Sequence, residues 1–189
     1  VQHISELGKT CFYTLHNMYK IRKDITEDAA KTMVHGFITS RLDYCNALYG
    51  QLPNCLIEKL ERVQRTAARM ITYTGKYEHI MPVMISLHWL PIKERIQFKI
   101  LLLTYKALNG YAPQYLSDLL QKRAQRGTRA DQQDLLVVPK SKTGFGDRSF
   151  SCMAPRIWNA LPLNIRLSPS TDCFKTHLKT YLFRLAYNI

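Results

Sequence analysis

Acid is in short supply in this chain. Against 27 lysines and arginines it sets 14 aspartates and glutamates, a formal charge of +13 over 189 residues. No Asp-Asp pair occurs, and Asp43, Asp118 and Asp147 stand alone in unrelated contexts, so the carboxylate set that holds two metals for nucleotide transfer is missing. Cysteine is sparse and unpaired in pattern: Cys11, Cys45, Cys55, Cys152 and Cys173 are odd in number, widely spaced and form no C-x-x-C. That excludes a disulfide framework as the first reading and points to reduced thiols in an intracellular protein, nuclear or cytoplasmic rather than secreted. No apolar run approaches membrane-span length. No glycine-rich phosphate cradle is present, so no nucleotide cofactor or other small-molecule ligand is implied. No internal repeat is visible.

What remains is basic and helical. A cationic surplus of this size predicts a polyanionic partner, most simply nucleic acid, with no membrane partner expected. The length suffices for one domain with a real core and an appended subdomain. Val1 is neither a methionine nor followed by an apolar leader, and the expectation is a segment that starts inside a longer reading frame.

Periodicity predicts the elements. Residues 4–23 read as a helix with Leu7, Cys11, Leu15, Met18 and Tyr19 inward, ending in the basic residues Lys20, Arg22 and Lys23. Thr26 is an N-cap candidate, with Glu27 and Asp28 in the following turn. That second helix is expected to run to about residue 49, with Met33, Phe37, Ile38 and Leu42 inward, until Gly50 and Pro53 break it. From 55 to 72, Leu56, Leu60, Val63, Ala67 and Met70 step by four and three along one stripe. Residues 121–134, QKRAQRGTRADQQD, contain no aliphatic side chain larger than alanine and are expected to form a basic linker or loop. Leu135 to Val138 is the best strand candidate, pairing with 145–151 in a small hairpin. Pro155 is expected to open a short helix anchored by Ile157, Trp158 and Leu161, and Ser170 to cap a last one with Phe174, Leu178, Tyr181 and Leu185 on one side.

The stretch 87–110, LHWLPIKERIQFKILLLTYKALNG, organises the rest. Pro91 stands at a helix start and Gly110 at a C′ position. Between them Ile92, Ile96, Ile100 and Leu103 lie on one side, and Phe98, Leu101, Leu102, Tyr105 and Leu108 cover the remainder. A helix apolar on every face belongs in a core, although Lys99 falls on the Ile92–Ile96–Leu103 side. The predicted fold is therefore mainly α: a helical bundle around a central buried helix at about 91–109, a small hairpin at about 135–151 and a C-terminal helix. The expected division is 1–121, 122–134 and 135–189.

The same stretch carries a resemblance. His88-Trp89-Leu90-Pro91-Ile92-Lys93, with Arg95, Phe98-Lys99 and Tyr105-Lys106-Ala107-Leu108, is one block. Ser40-Arg41-Leu42-Asp43-Tyr44-Cys45-Asn46 is a second. Gly146-Asp147-Arg148-Ser149-Phe150, running on to Ala154-Pro155-Arg156-Ile157-Trp158-Asn159-Ala160-Leu161-Pro162, is a third. In this order they resemble the region downstream of the polymerase domain in non-LTR (LINE-type) retrotransposon reverse transcriptases, nearest the jockey and chicken-repeat clades. The resemblance implies a thumb-like first part and downstream segments that grip the template–primer duplex behind the palm. The catalytic Asp-Asp hairpin and its magnesium belong to that palm, so no catalytic residue and no cofactor are expected among these residues.

Two other chemistries find little support. Cys173 and His177, one helical turn apart, could offer two zinc ligands, but a structural site needs four and no neighbouring pair supplies them; Cys173 reads instead as a small packed hydrophobe. Ser149, Ser151 and Cys152 lack a glycine elbow, and His79 and His88 have no assigned partner. Trp89 and Trp158 read as core anchors. The candidate backbone contacts are Lys59, Arg62, Arg65 and Arg69 on the third helix, Lys76 after it, and Arg123, Arg126 and Arg129 in the linker, with Tyr73 and Tyr77 as stacking candidates. The competing reading of the third helix pairs Glu58 with Arg62 and Glu61 with Arg65, which makes its polar side a solvated, nearly neutral face. The expected function is a non-catalytic piece of a retrotransposon RNA-directed DNA polymerase that contacts the nucleic-acid backbone. The alternatives are an interaction or scaffold module docking on the palm or another protein, or a retroelement remnant without selected function.

Overall fold

A computed structural model describes residues 2–123 and 134–189. They are predominantly helical, with no strand among the described residues. The chain gathers into two compact units, Val1–Arg95 with Leu185–Ile189, and Ile96–Arg184.

The first unit is built on a parallel helix pair. Helix α1 (Gln2–Ile21) buries Ile4, Gly8, Cys11, Leu15 and Met18, a stripe stepping by four and three. Helix α4 (Asn54–Thr72) buries Leu56, Leu60, Val63, Gln64, Ala67, Ala68, Met70 and Ile71. Lys59 Nζ donates to Ser5 Oγ at one end (3.3 Å), and Arg22 donates to Met70 and Ile71 carbonyls at the other. Tyr19, expected inward, is exposed instead.

Thr26 caps α2 (Glu27–Val34) as expected, its Oγ accepting from Ala29 N at 3.2 Å. The helix does not continue to 49. It widens into a π turn, His35–Thr39, resumes as α3 (Ser40–Asp43), and stops where Tyr44 turns extended and Cys45 takes a left-handed φ of 50°. The buried residues Ala30, Val34, Ile38 and Leu42 explain the π turn. A stripe spaced strictly by four drifts about 40° per step around an α-helix, and a wider turn absorbs that drift. Phe37 falls off this stripe and is 52% exposed.

A short helix, α5 (Met81–Ser86), leads to the link before α6 (Ile92–Leu108). That link is pinned by several partners. Gln64 Nε2 donates to Leu90 O (2.8 Å), Glu61 Oε1 accepts from Ile92 N (2.7 Å), and Tyr187 Oη donates to Trp89 O (2.5 Å). The His35 ring meets the buried Trp89 edge-on, with centroids 5.9 Å apart.

In the second unit α6 buries Ile96, Ile100, Leu101, Thr104, Tyr105 and Ala107. Arg95, Phe98, Lys99, Leu102 and Lys106 form its less buried arc, which is why a lysine is tolerated at position 99: the helix is not buried all round. Gly110 ends it with φ 73°, and Tyr111 N closes the cap on Lys106 O at 2.8 Å. Tyr105 stacks on Phe174 (4.3 Å between centroids), and Phe174 on Trp158 (6.0 Å). All three rings are buried. Phe174 belongs to α11 (Thr171–Tyr187), whose cap is Ser170, Oγ accepting from Cys173 N at 3.2 Å. The inward side of α11 is Phe174, Leu178 and Leu182, while Leu185 is exposed.

The expected hairpin at 135–151 is not formed. Its second half is helical, as α8 (Gly144–Asp147) and the start of α9 (Phe150–Asn159), with Thr143 Oγ1 accepting from Gly146 N at 3.0 Å. Pro155 lies inside α9 rather than at its start. Leu135–Val137 pairs instead with residues 121–123: Val137 N donates to Gln121 O (2.8 Å) and Arg123 N to Leu135 O (2.9 Å). This makes one isolated antiparallel bridge, Lys122 to Leu136, rather than a strand. The Asn159 amide also takes both backbone groups of Leu136, each at 2.9 Å. A polar segment and one side chain thus supply the hydrogen bonds that a second strand would have offered. Residues 124–133, most of the expected linker, lie outside the described residues.

Candidate nucleic-acid interface

The α1/α4 pair sets the cations in place, and the structure sorts them into three kinds. Arg62 and Arg65 share one acid: Glu58 Oε1 lies 3.9 Å from Arg62 Nε and pairs directly with Arg65 Nη2. Arg69 is a clip, its Nε donating to Gly75 O (3.1 Å) and its Nη2 to Glu78 O (2.7 Å), which holds the loop after α4. Lys59 and Lys76 are exposed, and among the described residues no acid lies within ion-pair distance of either.

The expected Glu61–Arg65 pair is not formed. Glu61 turns away to accept the first amides of α6, Ile92 N at 2.7 Å and Lys93 N at 3.4 Å. A carboxylate suits a helix N-terminus, and tertiary capping outcompetes the local i,i+4 pair. Burial pushes the Glu61 carboxyl above the ordinary glutamate range, against the lowering effect of the two amides and Arg65. Burial raises Glu94 as well. A raised carboxyl holds more protons in the folded than in the unfolded state. Stability therefore falls as pH rises from the ordinary glutamate value through the raised one. Glu61→Gln keeps an acceptor for Ile92 N and removes the charge. Urea midpoints taken across that window should fall less steeply for this variant than for the wild type, with a residual fall left by Glu94.

Arg22 and the ends of α1 and α4 form the part that sequence reasoning missed. Arg22 is only 5% exposed. Its Nε, Nη2 and Nη1 donate to Met70 O (3.0 Å), Ile71 O (2.6 Å) and Ile25 O (2.9 Å), and its guanidinium lies 4.2 Å from the centroid of Tyr73. Tyr73, left-handed at φ 56°, caps α4 and sends its hydroxyl to Arg22 O at 3.0 Å. Carbonyls at a helix C-terminus repel anions. Here Arg22 donates to two of them, at Met70 and Ile71, and Arg69 to the loop carbonyls of Gly75 and Glu78, which offsets part of the negative end. With Arg22 turned inward, Lys20 and Lys23 are exposed beside it. The run Lys20-Ile21-Arg22-Lys23 was the available signal, but spacing alone does not say which cation turns in.

The remaining candidates are elsewhere. Arg123 is exposed and belongs to the other unit, and Arg126 and Arg129 fall outside the described residues. Cys173 is exposed rather than packed, and no group of three or more metal-ligating side chains occurs among the described residues. Ser149 and Ser151 hydroxyls pair with each other at 3.0 Å, and Cys152 is buried. Among the described residues no helix is long and apolar enough to cross a membrane. Arg166 is buried, with Nε and Nη1 lacking a hydrogen-bond partner among the described residues, and burial lowers its pKa against the opposing pull of Asp134.

The three sequence blocks prove to be ties within the units. Asp43 of the second block accepts from Arg95 of the first at 3.0 Å and from Asn46 at 3.3 Å. In the third, Asp147 accepts from Arg156 at 2.6 Å, Trp158 Nε1 donates to Asp134 O at 3.0 Å, and Asn159 holds Leu136. These residues help build the fold, and the exposed lysines Lys20, Lys23, Lys59 and Lys76 lie outside them. No protein-family model, curated protein or solved structure matches the chain.

Proposed function

We propose that the chain is a non-catalytic, post-palm segment of a non-LTR retrotransposon reverse transcriptase that contacts the nucleic-acid backbone without reading sequence. The observation that carries the contact is the group of exposed lysines around the α1/α4 pair, Lys20, Lys23, Lys59 and Lys76, which form no ion pair among the described residues, in a chain of net charge +13. Arg123, exposed in the second unit, is a separate candidate, and Arg126 and Arg129 enter on sequence alone. Arg62 and Arg65 contribute less, because Glu58 offsets part of their charge. The family assignment rests on the three ordered blocks.

Anisotropy of a labelled RNA–DNA primer–template hybrid measures the contact. Each phosphate neutralised on a duplex adds about −0.9 to the slope of log affinity against log salt. Four such contacts predict a loss of about a hundredfold between roughly 50 and 200 mM salt. Binding that ignores salt, or no binding, rules the reading out.

One observation favours a second reading, a protein-docking module. Tyr13, Phe37, Tyr44 and Leu48 of the first unit are all more than half exposed. Under that reading, charge removal leaves nucleic-acid affinity unchanged, and Phe37→Asp abolishes capture of the partner palm domain.

A further inference from the structure

The loop after α4 holds two tyrosines in unlike surroundings, and both are open to solvent. Tyr73 is 65% exposed although its position is fixed three ways: by its left-handed cap geometry, by the hydroxyl bond to Arg22 O, and by the Arg22 guanidinium at 4.2 Å from its centroid. Tyr77 is 93% exposed, with Lys76 Nζ 5.6 Å from its centroid. The loop that carries it is held at Gly75 O and Glu78 O by Arg69, and at Gly75 N by the Glu78 carboxylate (2.8 Å). The Tyr77 ring, left in water on a braced loop, contributes little to stability. A ring already braced loses little freedom when something stacks on it.

The chemistry around the rings narrows the occupant. Lys20, Lys23 and Lys76 are exposed near these ends of α1 and α4, and Arg22 and Arg69 each donate to two of the carbonyls there that would repel an anion. Aromatic faces beside unpaired cations suit a ligand with flat rings on a phosphate chain. A paired duplex offers only its backbone, because its bases are stacked on each other. We propose that Tyr73 and Tyr77 form a stacking ledge for unpaired bases, so that this end of the first unit takes single-stranded nucleic acid. This rests on the backbone reading above and sharpens it: the lysines hold phosphates, and the tyrosines hold bases.

The test uses the full chain and two fluorescein-labelled twelve-nucleotide probes of equal charge, oligothymidylate and a fully abasic strand, at one fixed salt concentration. Stacking is worth about 1–3 kcal/mol per base, so oligothymidylate should bind about fivefold to a hundredfold more tightly than the abasic strand. Tyr77→Ala, at a side chain with little to lose in folding, should shrink that ratio several-fold, while Tyr77→Trp should keep or raise it. Tyr73→Phe should keep it too, since the ring stays over Arg22. Equal affinity of the wild type for the two strands, with steep salt dependence for both, overturns the ledge and leaves the backbone reading standing. Failure of both strands to bind overturns both.

Discussion

Replacing Trp158 with alanine is expected to destabilise the protein by about 3–5 kcal/mol. Trp158 is 1% exposed, its ring stacks on Phe174, and its Nε1 donates to Asp134 O. Truncation would leave a cavity beside the Tyr105–Phe174 stack and an unmet carbonyl at Asp134. A whole domain is stable by only about 5–15 kcal/mol, so the loss is a large share of the total. Urea unfolding followed by far-ultraviolet circular dichroism checks it. Trp158→Phe should recover more than half of the loss, because it restores most of the apolar volume and only the Nε1 hydrogen bond stays missing. A midpoint unchanged in the alanine variant would mean that the aromatic stack does not hold the second unit together.

The second large effect is expected at Arg22. Arg22→Ala leaves three carbonyls without their donor and removes the support beneath Tyr73. Each unmet buried group costs about 1–3 kcal/mol, though part of this is recovered by water entering at the helix end. A net loss of about 2–4 kcal/mol is expected from these terms. Arg22→Lys should recover little of it, since one ammonium cannot reproduce a planar fork over three carbonyls. Thermal or urea melts of both variants decide this. Full rescue by lysine would show that charge at the helix end, not the fork, carries the stability.

Much of the local structure was legible because its causes are local. Thr26 and Ser170 signal helix starts by themselves, and Gly110 signals a stop through a backbone angle that other residues resist. The stripes of α1 and α4 were legible because their spacing already fits an α-helix. What could not be read depended on partners far away in sequence. Glu61 has Arg65 at hand, yet serves the amides of Ile92 and Lys93. Leu135–Val137 looks like a strand in want of a hairpin, yet finds Gln121, Arg123 and the Asn159 amide. The π turn follows from a stripe spaced by four that a straight helix would have scattered.

The candidate interface shows the same split. Clustering of cations along α4 and the Glu58–Arg62 pair were visible in the sequence, but not the turn of Arg65 to Glu58 or of Arg69 to the loop carbonyls. Arg69 reads as a free phosphate ligand until Gly75 and Glu78 fold back onto it. Arg22 reads as one of three equivalent basic residues until the end of α4 arrives beside it. The exposed lysines nearby follow from that one inward turn.

The central claim is that these exposed lysines meet phosphates. The most direct measurement is the salt slope of hybrid binding for the wild type and for a Lys20→Ala, Lys23→Ala, Lys76→Ala triple variant. None of the three lies in the core or in an ion pair of the described residues, so folding should be kept. Every phosphate deprived of its lysine should flatten the slope by about 0.9, and the account predicts a triple variant shallower by about 2 or more. A triple variant with the wild-type slope and affinity would contradict it.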